Sequence, residues 1–480
     1  MASNECLPLA EILNRLPPPP ASDLRLRVQQ LLSDPKCNPK ILVALDDDPT
    51  GTQTCHNVTV LTTWDIPTLA AEFRQTRLGG GFFILTNSRA LHPGPARALT
   101  AEICANLKEA SVETGTGFEV VLRGDSTLRG HFPLEPRAVD EELGVSDAWI
   151  LCPFFLQGGR YTIDDVHYVA EGGMLVPAAQ TPFAKDATFG YKSSNLRDWV
   201  VEKSKGSIFP ERITSISLDT IRLGGPDAVL TQLRALAKGS VVIVNAAAEE
   251  DVDVVVLALL RGASEGKRYL YRTGAAFVSA RLGIPSIPPV PTDQLGLSRD
   301  VGGIIIAGSY VPKTTAQLET LRTKSGSKLV TVVIDARGLL KSDAASKKSV
   351  EDAIRVAEGG ISEGQDVLVM TSRELITGED EAKSLDIGTK VAEALVSFLV
   401  SLSTRPRYVI AKGGITSSDM ATKGLGMRRA TVVGQAAPGV PLWRCDELTA
   451  KWPGLPFVVF PGNVGSDDTL YEVVNRWRVE

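Results

Sequence analysis

The sequence predicts an α/β protein of two domains, with mainly parallel sheets facing a shared cleft, and three observations carry that expectation. From residue 41 onward, short apolar runs alternate with longer stretches of helical period, the pattern of strands linked by helices. The alternation is broken once by Pro285, Pro288, Pro289 and Pro291, which no helix could continue through. The 480 residues also exceed what a single domain of ~100–200 residues holds. A hydrophobic content of 43%, a charged content of 22% and 43 glycines describe a well-cored chain rich in tight turns.

Taken in order, residues 1–40 hold two short amphipathic segments, 7–16 and 24–32, separated by prolines 17–20. An apolar stripe of that length is expected to pack as a helical appendage on the body. The first α/β domain, 41–284, has strands expected at 41–45, 58–62, 82–86, 118–122, 148–152, 213–217 and 241–245. Its helices are expected at 67–77, 95–110, 226–237, 251–260 and 272–282, with 156–201 a loop or lid excursion carrying a helix at 195–203. A linker covers 285–300. The second domain, 301–480, has strands expected at 303–307, 329–334, 367–371, 408–411, 430–433 and 457–460 and main helices at 314–324, 347–358 and 385–402.

Charge and composition exclude some functions. A net charge of −5 without a basic stretch leaves no footprint for nucleic acid. No window reaches the ~20 apolar residues of a membrane span, and the N-terminus lacks a basic region ahead of an apolar core, so a cytoplasmic protein is expected. A homodimer is compatible with the sequence. Six cysteines without a CxxC pair read as reduced and isolated, and the histidines at 56, 92, 131 and 167 are scattered.

The chemistry gathers where strands are expected to end. Leu122 to Gly130, LRGDSTLRG, sets Arg123, Asp125, Ser126, Thr127 and Arg129 directly behind an apolar run. In open α/β sheets ligands bind at that carboxyl edge. Two readings stand side by side: a polar turn with a helix cap, or a site in which the arginines hold an anion while Asp125, Ser126 and Thr127 bond its hydroxyls. The first strand ends in Asp46, Asp47 and Asp48, and the third in Asn87, Ser88 and Arg89. Three strand ends of this kind suit a small polyhydroxy acid: Arg89, Arg123 and Arg129 for its carboxylate, Asp47, Asp48 and Asp125 for its hydroxyls. Arg160, behind Gly158 and Gly159, stands in a flap or a simple turn.

The second domain is different. Gly308-Ser309, Lys412-Gly413-Gly414-Ile415-Thr416 and Pro461-Gly462-Asn463 follow its strands, and glycines with hydroxyls can cradle phosphates. There is no GxxxxGKS/T loop, GxGxxG turn or protein-kinase signature, so a nucleotide would be bound outside those schemes.

Asp47-Asp48-Pro49-Thr50-Gly51, Asn87-Ser88-Arg89, the string from Asp125 to Gly130, Gly159-Arg160, Gly308-Ser309, Gly413-Gly414-Ile415-Thr416 and Gly462-Asn463-Val464-Gly465 together resemble, in order, the motifs of the four-carbon acid sugar kinase family. The resemblance runs from about residue 41 to the C-terminus. It implies an acid-sugar-binding domain followed by a nucleotide-binding domain, with ATP phosphorylating acids such as threonate, erythronate or 3-oxo-tetronate, and Mg²⁺ is expected to help offset charge on the transferring group. Carried over by position, the substrate site includes Asp47, Asp48, Arg89, Asp125, Ser126 and Thr127, to which the residue pattern itself adds Arg123 and Arg160, and the ATP site includes Ser309, Gly413, Gly414, Ile415, Thr416 and Gly462. Metal ligands are not identified. Asp125 is the expected base, Asp48 the second choice, and Arg129 a clamp on substrate or phosphate. Arg123 replaces the family's usual lysine, Ile415 its acidic or small residue, and Phe460-Pro461 its Lys-Ser. The rival readings are a kinase for a branched or five-carbon acid sugar and a silent sensor of acid sugar or nucleotide.

Overall fold

The computed structural model describes residues 5–20, 23–308, 311–372 and 381–478, and side chains throughout these except at 381–386. It is α/β, with large, mostly parallel sheets and two compact units. One unit comprises residues up to 55 and 63–286, the other 56–62 and 287 onward.

In the first unit, seven parallel strands run in the order Ile213–Ile216, Ser240–Val244, Ala148–Cys152, Tyr269–Thr273, Phe118–Arg123, Ile41–Asp46 and Gly81–Leu85. Helices cover both faces of such a sheet, so its strands read as nearly unbroken apolar runs. All six residues of Ile41–Asp46 are buried. Register then aligns the strand ends: Asp46 lies opposite both Leu85 and Arg123, and Arg123 opposite Thr273. Three polar loops therefore leave the sheet at one level.

The helices are terminated by ordinary chemistry. Pro93–Thr114 starts on a proline, whose missing N–H is no loss in the first turn, and ends at Gly115 with φ +65°. Ile66–Gln75 is capped by Asp65, which accepts from the Thr68 amide at 3.0 Å. The helix Leu24–Ser33 buries Leu24, Val28 and Leu32. Arg25 bonds Asp253 at 2.6 Å and Gln29 the Gly283 carbonyl at 2.7 Å, so this segment is part of the first unit's packing.

Two expectations for this unit change. The segment 156–201 is more than a loop: Arg160–Ile163, Val166–Glu171 and Met174–Pro177 form an antiparallel sheet that Leu7–Pro8 extends. Its two hairpin turns, Asp164-Asp165 and Gly172-Gly173, have all four residues at positive φ, the geometry that suits the twist of two-residue hairpins. The helix expected from 272 begins instead at Ala275, because Tyr269–Thr273 is a buried central strand.

The second unit carries a mixed sheet in the order Val58–Leu61, Arg429–Ala437, Val440–Cys445, Leu455–Phe460, Val409–Lys412, Ile304–Ala307, Asp366–Thr371 and Leu329–Ile334. Pairing is antiparallel through Leu455–Phe460 and parallel beyond it. The strand at 58–61, expected in the first domain, pairs antiparallel with Arg429–Ala437 and belongs to this unit. Val440–Cys445 and the helix Thr469–Trp477 were not anticipated; both bury large apolar side chains, Trp443 and Trp477 among them. No helix among the described residues is long and apolar enough to cross a membrane.

Candidate active site

The aspartate run starts inside the sheet. Asp46 is buried and receives a 2.9 Å hydrogen bond from Arg123 Nη1, while its Oδ2 has no partner. Gly51 lies so close that a Cβ there would overlap the Asp46 carboxylate. Burial, and then the neighbouring Asp47 and Asp48, outweigh Arg123 and push this carboxyl up to about 7. Arg123 itself is 5% exposed and also bonds the Asp48 carbonyl at 3.2 Å. Its Nη1 is engaged with the aspartate run, while its Nε has no hydrogen-bond partner among the described residues.

Asp48, also buried, caps the Thr50 amide at 2.9 Å and pairs with Arg89. Burial opposes its ionisation, but Arg89 and Arg123 outweigh that and hold it below the ordinary carboxylate range. Arg89 also faces Asp47 at 3.8 Å and Asp125 at 3.7 Å, so one guanidinium gathers three carboxylates from two strand ends. Asp47 Oδ1 is buried 3.7 Å from Arg123 Nη1 and has no hydrogen-bond partner among the described residues. Such an atom suits a ligand hydroxyl.

The loop after Phe118–Arg123 folds back on itself. Asp125 Oδ2 accepts from Arg129 Nε at 2.7 Å and from the Thr127 hydroxyl. Leu128 adopts φ +71°, a left-handed conformation unusual for leucine. Its neighbours' carbonyls are pinned from outside: Ser126 by His167 Nε2 at 2.7 Å and Thr127 by the Tyr191 hydroxyl at 2.8 Å. Burial lowers His167 to about 4, so the neutral ring donates to Ser126 and accepts from Thr162 at 3.0 Å. Arg129 and Arg160 both lie over the Phe183 ring, at 5.2 and 5.4 Å.

The structure thus brings Asp47, Asp48, Arg89, Arg123, Asp125, Thr127 and Arg129 into one cluster, with Arg160 joined to it through Phe183. Ser126 contributes its backbone. Three participants were not singled out in the sequence. Glu135, in the first turn of Leu134–Leu143, receives the Ser88 hydroxyl at 2.6 Å and is pushed up to about 7, first by burial and then by Asp47. His167 sits in the unexpected sheet. Arg272 is next to last in the strand Tyr269–Thr273; the signal for it was Tyr271-Arg272-Thr273-Gly274, an apolar run running into arginine and glycine much as Leu122-Arg123-Gly124 does.

In the second unit, Lys412 ends its strand fully buried, bonds the Pro461 carbonyl and lies 4.3 Å from the Phe460 ring centroid. Burial, reinforced by Lys313, lowers it to about 7. Gly413 follows at φ +105°, with its amide on the Phe460 carbonyl at 2.8 Å. A Cβ on Gly308 would come 3.1 Å from the Thr416 hydroxyl and 2.9 Å from Leu395, so a close-fitting turn faces Thr416. Gly414 and Thr416 open a short helix, Ile415 is exposed, and the Gly462 carbonyl accepts from Thr314 at 3.3 Å. Ser309 lies outside the described residues.

These two sites fall in two matched regions. A sugar-binding N-terminal domain matches residues 42–281 and a nucleotide-binding C-terminal domain matches 304–470, the architecture of the four-carbon acid sugar kinase family. The chain belongs to that family. The arginine–aspartate cluster of this acid sugar kinase family member lies within its sugar-binding region, and Lys412 with its glycine turns within the nucleotide-binding one.

Among solved structures, a Salmonella typhimurium LT2 protein provisionally named a tRNA synthase is similar at a TM-score of 0.66 and 16% identity, covering 91% of this chain and 99% of that one. A Haemophilus influenzae protein is similar at 0.59 and 16% identity, covering 90% and 99%. At such identity the likeness is one of fold. No curated protein matches the chain.

Proposed function

We propose that this protein is an ATP-dependent kinase that phosphorylates a hydroxyl of a small sugar acid, a four-carbon one such as 3-oxo-tetronate, threonate or erythronate. The observation that carries the reading is the cluster at the sheet's carboxyl edge. It offers buried, alternating guanidinium and carboxylate groups, including an Asp47 oxygen that receives no hydrogen bond among the described residues. An apolar ligand would leave those groups unsatisfied, whereas a hydroxy acid answers both charges.

Phosphoryl transfer asks mainly for positioning and charge neutralisation. Asp125, with Asp48 as second choice, orients the acceptor hydroxyl and takes its proton. Burial resists the charge on Asp125, yet Arg129 and Arg89 hold it well below the usual carboxylate range, so it is ionised at any working pH. A strongly acidic carboxylate suits a loose transition state, in which the proton leaves late. Arg129 offsets charge on the transferring group.

For the nucleotide, the close-fitting turn at Gly308 and Thr416 and the buried Lys412 suit phosphate oxygens, with Gly413, Gly414, Ile415, Gly462 and Ser309 completing the assignment. Among the described residues no cluster of three or more His, Cys, Asp or Glu is arranged to hold a metal. Mg²⁺ carried with ATP would supply charge neutralisation on the transferring group. ADP release measured with a panel of four- and five-carbon sugar acids, and with the matching polyols, tests the reading. ADP formed with no acid would sink it, and preference for a five-carbon acid would move the substrate.

A further inference from the structure

Five arginines belong to the first site, and three of them are matched. Arg123 is paired with Asp46, Arg129 with Asp125, and Arg89 with Asp48. Arg160, partly exposed, bonds the Gly158 carbonyl and lies over Phe183. Arg272 stands apart. It is 4% exposed, next to last in a central strand, and among the described residues no carboxylate lies within ion-pair distance of it and its one hydrogen bond is from Nη2 to the Arg129 carbonyl at 2.9 Å.

Burial outweighs the pull of Asp47, Glu135 and Asp125, which lie beyond ion-pair distance, and a buried guanidinium with five donors and one hydrogen bond is costly unless a ligand completes it. The surrounding loop is shaped to admit it. A Cβ on Gly124 would overlap the Arg272 guanidinium, and one on Gly130 would come 3.1 Å from Nη2 and 3.4 Å from Asp47 Oδ2. The two glycines that bracket the Asp125 loop therefore leave room for this side chain. They set its Nη2 close to Asp47, whose Oδ1 faces Arg89 and Arg123 at 3.8 and 3.7 Å but receives no hydrogen bond among the described residues. A cation only partly neutralised, next to a carboxylate oxygen that receives no hydrogen bond, has the polarity of a 2-hydroxy carboxylate.

From the unpaired Arg272 guanidinium and its glycine bracket, we infer that Arg272 binds the carboxylate of the acid substrate and makes the site select an acid over the corresponding polyol. Asp47 takes an adjacent hydroxyl. This deepens the reading of the first unit as a sugar-acid site and rests on it. It does not require that phosphate be transferred.

Calorimetry with erythronate and threonate, each against its polyol erythritol or threitol, tests the assignment in the full chain. The wild-type protein is expected to prefer at least one acid over its polyol. Arg272→Gln should reduce that preference by at least ~10-fold, as loss of a charge-assisted bond does, with polyol affinity unchanged. Arg272→Lys keeps the charge without the fork and should retain part of the preference. If the glutamine variant does not fold, as judged by its melting curve, the lysine variant carries the test, with a loss of acid but not polyol affinity expected. An undiminished preference in a folded Arg272 variant overturns the inference, as does a wild-type protein with no preference for either acid. The two readings fail separately. Absent ADP formation together with a preference lost in the variants leaves Arg272 in place, whereas normal ADP formation and an unchanged KM for the acid in Arg272→Gln removes it.

Discussion

Asp125 and Arg129 are four residues apart on one loop and meet at 2.7 Å, Oδ2 to Nε, closing it on itself. The pair makes Asp125 a permanently charged fixture, since Arg129 and Arg89 overcome the penalty of burial. Asp125→Asn keeps the shape but gives up the charge. The variant is expected to fold and to turn over at least ~100-fold more slowly, the usual contribution of a general base. It should leave the neutral-pH limb of the rate profile in place, because Asp125 does not titrate there. Steady-state ADP release checks both, and near wild-type turnover removes Asp125 from the mechanism.

Glu135 gives stability the opposite dependence from a salt-bridged acid. Burial and then Asp47 lift it to about 7, against the 4.5 of a free glutamic acid and despite the Ser88 hydroxyl and nearby arginines. The folded state therefore holds a proton that the unfolded chain has released. Its stabilisation is complete below about pH 4.5 and is lost as pH rises through about 7. Glu135→Gln, which stays neutral, should flatten this part of the melting profile and melt above the wild type at pH 8. A shift of roughly 2–4 °C is expected for each kcal/mol recovered in units of this size. Parallel profiles for the two proteins from pH 5 to 8 would contradict it.

His167 acts in the other direction over an overlapping range. Burial depresses it to about 4 from 6.5, so the folded ring is neutral where the unfolded one would be charged. Its stabilisation is present above about pH 6.5 and lost as pH falls through about 4. His167→Phe removes that acid sensitivity but leaves the Ser126 carbonyl and the Thr162 hydroxyl without their partner. A loss of about 1–3 kcal/mol at pH 8 is expected, with turnover reduced because the Asp125 loop loses its anchor. Denaturant unfolding at pH 8 and pH 5 separates the two effects: the gap between variant and wild type should narrow at the lower pH.

Much of the site was legible because parallel strands end where their polar residues begin. The apolar runs before Asp46, Asn87 and Arg123 could be aligned at one sheet edge without knowing their order. What could not be read were groups whose role depends on a distant partner. Glu135 sits in a helical first turn, and only the fold brings it to Ser88. Arg272 lies in a five-residue strand directly before Ala275–Arg281, and the helical period of that apolar tail masked it. The hairpins at 160–177 were hidden for a related reason. Asp164 and Asp165 both take positive φ, with Asp165 held by Asn245 and Ser215, and no local pattern announces such support. The strand at 58–61 was recognised as a strand, but its partner lies some 370 residues on, at Arg429–Ala437.

Lys412 offers a check on the nucleotide assignment that does not depend on catalysis. Burial, then the charge of Lys313, lowers it to about 7 from 10.5, and its contacts are a carbonyl and an aromatic ring rather than a carboxylate. Its neutral form is favoured in the fold, so the stabilisation it gives is whole above about pH 10.5 and is lost as pH falls through about 7. A phosphate bound beside it would reverse the preference by stabilising the ammonium. At pH 8, ATP binding by the wild type should therefore take up a proton, seen as a dependence of calorimetric heat on the buffer's ionisation enthalpy. Lys412→Met should abolish that dependence, weaken ATP by ~10–100-fold as the loss of a charged hydrogen bond implies, and raise stability at pH 6 by relieving a buried charge. Binding of ATP with equal heats in all buffers would place the phosphates away from Lys412.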